Sequence, residues 1–365
     1  MFFRLLLLPL ILSTSCGSPA RQQEPGSESH RARLKAAEQS LGPEAQARMV
    51  AVRSDRSIRC GFLDSHGVMW FGTGRGVLWF DGESLVPLST ASGLQSESVY
   101  AIVESHEGEL WFGTSDGLYR SNRETVTHVP IPWGDIANPW VENFYPIMNP
   151  NQVTDLLQDK TGDLWLGTAG GGAFRYDGES FTGFLADAGT LYEDGLHHNW
   201  ISSLVEEDTG NIWMTSMSGG GVTRIDGEEL TQYMPEQGLS DHFVRSSLVD
   251  SEGKLWFGSN GNRNGGLDRF DGQAFTKMNG ASDALRGHIS CIFEDQSGLL
   301  WLGCGDDGLM MYRNGDFLPL RDEHGQVFQD ILFVSEDAAG HIWFGGVKGQ
   351  LYRFDGESVL DYSTD

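Results

Sequence analysis

The 365-residue chain is poor in positive charge. Lys and Arg number 25 against 51 Asp and Glu, which gives a formal net charge of −26 at pH 7. Binding to nucleic acid depends on Lys and Arg meeting phosphate groups, and adhesion to anionic lipid has the same requirement. The composition therefore argues against both classes of partner and is typical of a solvated, soluble surface.

Long apolar runs are also scarce, since no stretch beyond the N-terminus is apolar enough to span a bilayer. The first residues, MFFRLLLLPLILSTSC, hold one positive charge at Arg4, an apolar run over 5–12, and then small residues. This run is too short for a membrane span and predicts a secretory signal peptide over residues 1–16. Cys16 ends the small-residue stretch, as the lipidated cysteine does in bacterial lipoproteins, although Ser13 replaces the usual Leu of that pattern. We expect an extracytoplasmic protein whose only membrane attachment is a lipid on Cys16. Cleavage near Ala20 and free secretion are the alternative.

Residues 17–50 are polar and rich in Ala and Glu, which predicts a flexible tether with a short helix over 32–41. Beyond the tether only three cysteines remain, Cys60, Cys291 and Cys304, and their spacing matches no zinc site. Three thiols cannot all pair within the chain, so we interpret them as packed, unbridged side chains.

Familiar catalytic motifs are missing as well. The sequence contains no G-x-S-x-G, H-E-x-x-H or Walker pattern. We therefore predict no catalytic residue, no metal site and no cofactor, while the question of enzymatic activity stays open.

What the chain does contain is a repeat. Seven tryptophans, Trp70, Trp111, Trp165, Trp213, Trp256, Trp301 and Trp343, are separated by 41, 54, 48, 43, 45 and 42 residues. A Gly stands three residues before each of them, an Asp usually stands six before, and Val or Ile always stands twelve before. A period in the forties with alternating apolar residues predicts a repeat architecture built of strands.

Each unit is expected to form four strands. Strand A is the Val/Ile segment, strand B carries the Trp, strand C is the GLYR-like segment, and strand D usually follows an Asp-Gly turn. The 48 glycines of the chain fit this abundance of tight turns. The sequence thus predicts an all-β fold, a seven-bladed β-propeller of four-stranded antiparallel blades, over residues 51–365. The Trp column is interpreted as core between blades.

The repeat V-x-x-I-x-x-D-x-x-G-x-L-W-F-G-T-x-x-G-L-x-R-Y-D-G resembles the two-component regulator propeller repeat. The resemblance covers roughly residues 56 to 365 and is weaker at Ser105, Thr215 and Gly346, which replace repeat residues in blades 2, 4 and 7. It implies a sensor-type role, because the family supplies the extracytoplasmic sensor portions of bacterial hybrid histidine kinases and also occurs in stand-alone proteins. We expect no kinase half in this chain.

Function is expected where the repeat is broken. The longest insertions begin at Pro130 and Phe184, in the D–A connections before blades 3 and 4, and long B–C loops occur in blades 3, 4 and 5. Strand counting places all five irregularities on one face and in one sector. Their candidate ligand-binding residues are Trp133, Trp140, Tyr145, His197, His198, Trp200, His242, Asn260, Arg263 and Asn264.

Aromatic rings beside amides and an Arg suit a small polar ligand such as a glycan, so we expect a non-catalytic ligand-binding or sensor module. Two alternatives stay open. One is a propeller lyase or hydrolase that uses the His residues of this face, and the other is an envelope scaffold that binds a protein partner there.

Overall fold

The computed structural model describes residues 56–88, 94, 98–132, 152–185, 199–260, 266–278, 285 and 288–363. These residues form seven antiparallel sheets of four strands, and in each sheet the strands pair in chain order. The predicted signal peptide, Cys16 and the tether lie outside the described residues, so these expectations stay predictions.

The strands of the first three blades are β1 (Ile58–Leu63), β2 (Met69–Thr73), β3 (Gly76–Phe80), β4 (Leu85–Pro87), β5 (Val99–Glu104), β6 (Leu110–Thr114), β7 (Gly117–Ser121), β8 (Val126–Val129), β9 (Val153–Gln158), β10 (Leu164–Thr168), β11 (Ala173–Tyr176) and β12 (Phe181–Phe184). Blades 4 and 5 are β13 (Ile201–Glu206), β14 (Ile212–Ser216), β15 (Val222–Asp226), β16 (Glu229–Tyr233), β17 (Val244–Val249), β18 (Leu255–Ser259), β19 (Leu267–Phe270) and β20 (Phe275–Lys277). Blades 6 and 7 are β21 (Cys291–Glu294), β22 (Leu300–Gly303), β23 (Leu309–Arg313), β24 (Asp316–Pro319), β25 (Ile331–Glu336), β26 (Ile342–Gly346), β27 (Leu351–Phe354) and β28 (Val359–Asp361).

The seven blades close into a ring. The first strand of each blade contacts the first strand of the next, and β25 of blade 7 contacts β1 of blade 1. Strand A is therefore innermost in every blade and borders the axial channel. Blades 1 and 7 each take all four strands from one continuous segment, so no strand is exchanged between the chain ends. The predicted seven-bladed propeller is confirmed.

The repeated Asp and Trp are joined by one hydrogen-bonded turn between strands A and B. In blade 1, Asp64 accepts the backbone N–H of His66 at 2.9 Å and of Val68 at 2.8 Å, and its second oxygen accepts the indole N–H of Trp70 at 2.8 Å. Gly67 completes the turn with a φ of 80°. The same indole-to-carboxylate bond links Asp159 to Trp165, Glu207 to Trp213, Asp250 to Trp256, Asp295 to Trp301 and Asp337 to Trp343.

In strand B, a Gly usually stands two residues after the repeated Trp, and the close packing of neighbouring blades requires it. At Gly113, an added Cβ would stand 2.8 Å from Val153 Cγ1 and 3.1 Å from the Val153 carbonyl oxygen on β9. Val153 belongs to the Val/Ile column and is fully buried. Five of these Gly residues, in blades 1, 2, 3, 5 and 6, meet the Val or Ile of the next blade, so the two repeated columns together fix the distance between those blades.

Blade 2 lacks the turn carboxylate and replaces it with a different set of contacts. Ser105 accepts only the backbone N–H of Glu109, at 3.3 Å. Arg123, in the turn between β7 and β8, donates to Asp64 at 2.5 Å and to Glu104 at 2.6 Å. This arginine ties blade 2 to blade 1 where the repeat is weakest.

Strand A carries a bulge close to its start. Ile58 lies opposite Thr73 and Cys60 opposite Gly72, so Arg59 between them has no cross-strand partner. The same register shift occurs in blades 2, 3, 4, 5 and 7. A bulge releases one residue from the ladder and re-aims its side chain. The residues at this position, Arg59, Tyr100, Thr154, Ser202, Arg245 and Leu332, border the axial channel, and Ser290 stands at the same place in blade 6.

Candidate functional site

The B–C loops and the D–A connections lie on the same side of the ring. Because every blade is an antiparallel meander with strand A innermost, the B–C loops and the D–A connections emerge on the same side, which we call the loop face. The long D–A connections span residues 130–152, between β8 and β9, and 185–200, between β12 and β13. The predicted sector of blades 3 to 5 thus belongs to one face of the fold. The prediction that long B–C loops are confined to this sector is wrong, because the loop of blade 6, 304–308, is as long as that of blade 4, 217–221.

Most of the candidate ligand-binding residues fall outside the described part of the chain. These are Trp133, Trp140, Tyr145, His197, His198, Arg263 and Asn264. Trp200, His242 and Asn260 are described.

The three described candidates lie on the loop face of blades 4 and 5. Trp200 immediately precedes β13, pairs with Ala169 of blade 3 in an isolated bridge, and accepts the backbone N–H of Met217 at 3.0 Å. The carbonyl of His242 accepts a backbone N–H from the B–C loop of blade 4 at 2.8 Å, and the backbone N–H of Asn260 donates to the carbonyl of Phe243 at 2.8 Å. All three are half-buried. Their binding of a ligand stays a prediction.

Two of the five irregularities have a packing explanation. The B–C loop of blade 3 is buried, and Gly172 has a φ of 74° at a point where an added Cβ would stand 2.3 Å from the carbonyl oxygen of Phe184. Gly221 in blade 4 has a φ of 63°, and its added Cβ would stand 2.3 Å from the carbonyl oxygen of Tyr233. Only glycine fits either position, so these glycine-rich loops fill the scaffold.

The sequence reasoning missed a charged group at the loop-face end of the axial channel. Arg59 of blade 1 places its guanidinium carbon 4.6 Å from the ring centroid of Tyr100 in blade 2. Arg245 of blade 5 occupies the same bulge position and is half-buried. Burial lowers the pKa of Arg245 below its ordinary value, Cys291 opposes this effect, and the positive charge of Arg59 lowers the pKa further. The two cations face one axis from blades that are not neighbours.

A variable column could have revealed this pair. The bulge residue stands eleven positions before each Trp, between the Val/Ile column and the small-residue column. Flanked by two repeated columns, it carries Arg, Tyr, Thr, Ser, Arg, Ser and Leu in turn. Because the residue type varies at this fixed position of the innermost strand, the scaffold does not require a particular side chain there.

The channel wall of blades 3 to 5 also holds a buried acid. Asp155 accepts the backbone N–H of Leu204 at 2.7 Å and of Leu156 at 2.9 Å. Burial raises the pKa of Asp155 to about 7, against the effect of these bonds and of one from Ser203. Ser203 in turn accepts a hydrogen bond from Ser247 at 2.9 Å, which extends the polar wall into blade 5.

His288 precedes blade 6 on the loop face, close to Arg245. Its imidazole lies against Gly305, whose added Cβ would come within 2.9 Å of the ring. Burial lowers the pKa of His288, the charge of Arg245 lowers it further, and Asp330 and Asp306 oppose this effect.

The three described cysteines are all free thiols. Burial raises the pKa of Cys60 to about 12 and that of Cys291 to about 11, and it also raises the pKa of Cys304. Such thiols are protonated at neutral pH and poorly nucleophilic. Within the described ranges, no group of three or more His, Cys, Asp or Glu side chains could hold a metal ion. None of the helices in that same part of the chain could cross a membrane.

The fold defines the class of the protein as a seven-bladed β-propeller. The model of the two component regulator propeller family matches residues 93–116, 147–170 and 238–261, which fall in blades 2, 3 and 5. No curated protein sequence matches the chain significantly.

Several solved structures share the fold. The extracellular domain of one hybrid two component system from B. thetaiotaomicron matches with 20% identity and a TM-score of 0.56, covering 85% of this chain and 49% of its own. A second such domain from the same organism matches with 17% identity and a TM-score of 0.61, covering 85% and 46%. The chain thus spans about half the length of these domains. Virginiamycin B lyase from Staphylococcus aureus, as an inactive variant with quinupristin, matches with 15% identity and a TM-score of 0.57, covering 73% and 84%.

Proposed function

We propose that the protein is an extracytoplasmic, sensor-type binding module that recognises a small polar ligand or glycan on the loop face of blades 3 to 5. The observation that carries the proposal is that the two longest D–A connections, which join β8 to β9 and β12 to β13, begin and end on one face of neighbouring blades. The repeated columns account for the scaffold, so the additional residues of this sector need another explanation.

The chemistry of the sector supports a polar ligand. Trp200 is half-buried between blades 3 and 4, and Asn260 lies on the same face of blade 5. An aromatic ring can stack on the face of a sugar while an amide pairs with its hydroxyl groups. The similar extracellular domains of two-component systems are consistent with a sensor role.

The test is calorimetry or thermal unfolding with a panel of neutral oligosaccharides, because a ligand that binds only the native state raises its stability. Trp200→Ala, Asn260→Ala and Arg263→Ala are each expected to weaken a hit by roughly 10-fold or more. Lys348→Ala is the control, since Lys348 lies on the loop face of blade 7 and pairs with Asp330 at 3.2 Å. A hit that responds to Lys348 and ignores Trp200 would place the site in another sector.

A lyase is the second candidate, favoured by the shared fold of virginiamycin B lyase. The same panel, followed by mass spectrometry of the products, separates the two functions. Turnover that disappears in His242→Ala would establish an enzyme, whereas saturable binding without product supports the binding module.

The proposed location includes a lipid anchor at Cys16. Its support is the N-terminal segment of a positive residue, an apolar run and small residues ending at this cysteine. Palmitate should label the wild type and not Cys16→Ser. Equal labelling of both, or release of the wild type into the medium, would contradict the anchor.

A further inference from the structure

Arg245 is a half-buried cation that lacks a counter-charge. Among the described residues it has neither an ion pair nor a hydrogen-bond acceptor. Arg123 of the same fold is paired, with carboxylate oxygens of Asp64 at 2.5 Å and Glu104 at 2.6 Å, whereas Arg269 and Arg353 lie over the rings of Trp256 and Trp343. Removing a charge from water without a partner is costly, so Arg245 requires a reason to occupy its position.

The scaffold does not use Arg245 to join the blades. In blade 4 the bulge residue Ser202 donates to the Val244 carbonyl of the next inner strand at 2.8 Å. In blade 5 that task passes to the following residue, because Ser246 donates to the Ile289 carbonyl at 3.1 Å. The bulge residue of blade 5 is therefore not needed for the hydrogen bond to the next inner strand.

A second arginine faces the same channel. Arg59 lies over the Tyr100 ring at 4.6 Å, and a ring face attracts a guanidinium and fixes its place. Two like charges at one axis repel each other, and an anion between them would remove that repulsion. The other titratable groups nearby include His288, the Cys291 thiol and the carboxylates of Asp330, Asp306 and Asp155. Asp330 already pairs with Lys348 at 3.2 Å, and burial raises the pKa of Asp155 to about 7.

We propose that the axial channel holds an anion site at its loop-face end, where the guanidinium of Arg245, with Arg59 across the axis, binds a carboxylate or a small oxyanion. A guanidinium presents a planar fork of N–H donors that matches two oxygens of such a group. In a chain with a net charge of −26, anions are repelled by the surface as a whole, so this site must act through short-range contacts. Although Arg245 belongs to blade 5, this site lies at the axis and uses none of the residues proposed to bind the ligand on the loop face.

The experiment follows thermal unfolding of the purified protein in chloride buffer at constant ionic strength. Sodium sulfate, phosphate and glucuronate are titrated in separate arms, with glucose as the neutral comparison. Sulfate and phosphate also stabilise proteins because they are excluded from protein surfaces. The measured quantity is therefore the saturable rise in Tm of the wild type beyond the rise seen in Arg245→Gln. A response to sulfate and phosphate indicates a free oxyanion, and a response to glucuronate alone indicates a carboxylate carried by an organic ligand. Either supports the site.

Arg245→Gln should lose affinity by roughly 10- to 100-fold, as expected for a charge-assisted pair. Arg75→Gln, an exposed arginine of the same face, should retain the wild-type response. Without added anion, Arg245→Gln should unfold no earlier than the wild type, because it removes an uncompensated charge. Arg245→Lys keeps the positive charge but lacks the planar set of N–H donors, so it should bind the anion more weakly than the wild type. A weakened but measurable response would show that the loss in Arg245→Gln does not come from misfolding.

The idea is overturned if no anion gives a saturable shift beyond that of Arg245→Gln. Earlier unfolding of Arg245→Gln at the lowest chloride concentration would also overturn it, because chloride binding could not then explain the difference and Arg245 would be paired within the chain. Trp200→Ala should leave the anion response unchanged, so failure of this site and failure of the proposed loop-face function can be told apart.

Discussion

The Asp–Trp turn allows a sharp test of what the repeat contributes to stability. In blade 3, one oxygen of Asp159 accepts the backbone N–H of Thr161 at 2.9 Å and of Asp163 at 3.0 Å, and the other accepts the indole N–H of Trp165 at 2.8 Å. Asp159→Ser gives blade 3 the residue that blade 2 carries naturally as Ser105. A serine can serve one backbone donor and cannot reach the indole.

The cost follows from the contacts that are lost. Trp165 is only 3% exposed, so its indole N–H would be left buried without an acceptor. Hydrogen bonds to a charged group are each worth about 1.5–3 kcal/mol, and one backbone N–H weakens as well, so we expect a loss of about 3 kcal/mol. That corresponds to a fall of about 4–5 °C in Tm for a chain of this size. Urea unfolding followed by Trp fluorescence would measure it.

Asp177→Ser is the matched control in the same blade. Asp177 accepts the backbone N–H groups of Glu179 at 2.9 Å and Ser180 at 2.7 Å, but it is exposed and serves no buried indole. Its replacement should cost clearly less. Equal losses in Asp159→Ser and Asp177→Ser would refute the reasoning, because the indole bond would then contribute nothing.

The charge of Asp159 adds a pH dependence. Burial raises the pKa of Asp159, but hydrogen bonds from Thr161, Trp165 and Asp163 outweigh it and hold the pKa below its usual value. A lowered folded-state pKa means that the carboxylate stabilises the fold above the unfolded value of about 3.9, and that this contribution disappears as pH falls through the folded value. The stability gap between wild type and Asp159→Asn should therefore narrow below about pH 4. A gap that stays constant to about pH 2 would contradict the charge contribution.

Three other positions give direct expectations. Gly113→Ala places a methyl group 2.8 Å from Val153 Cγ1 and should lower the free energy of unfolding by about 1–3 kcal/mol in urea melts. An unchanged midpoint of urea unfolding would show that the two blades can move apart at no cost. The pKa of Asp155 is raised to about 7 by burial, so its contribution to stability declines as pH rises from about 4 to about 7, and the Tm of Asp155→Asn relative to the wild type should increase over the same range. Because burial raises the pKa of Cys60 and Cys291 to about 12 and about 11, neither thiol should react with a disulfide reagent at about pH 8 until the protein is unfolded, and rapid labelling of the native protein would contradict their burial.

The fold could be predicted from sequence because its determinants lie in repeated columns. The Gly before each Trp takes a positive φ in the A–B turn, as at Gly67, and the Trp side chains are buried, as at Trp343. Each column has one physical task that is repeated seven times, so the pattern stands out even in a single chain. The axial pair could not be found in this way, because Arg59 and Arg245 occupy a column with no repeated residue, and only the closed ring brings them to one axis.

Departures from the repeat differ in whether the rest of the chain compensates for them. Thr215, which replaces a Gly in blade 4, is fully buried and lies 2.9 Å from the hydroxyl of Ser202, so its extra polar atom is satisfied within the fold. Gly346, which replaces a Thr in blade 7, stands where an added Cβ would meet the Asp330 carbonyl oxygen. Both departures are structural, because contacts within the scaffold accommodate them. Arg245 has no matching acidic residue among the described side chains, and Ser246 has taken over its contact to the next blade. A departure that the scaffold leaves uncompensated requires a partner from outside the scaffold, and for a cation that partner is an anion.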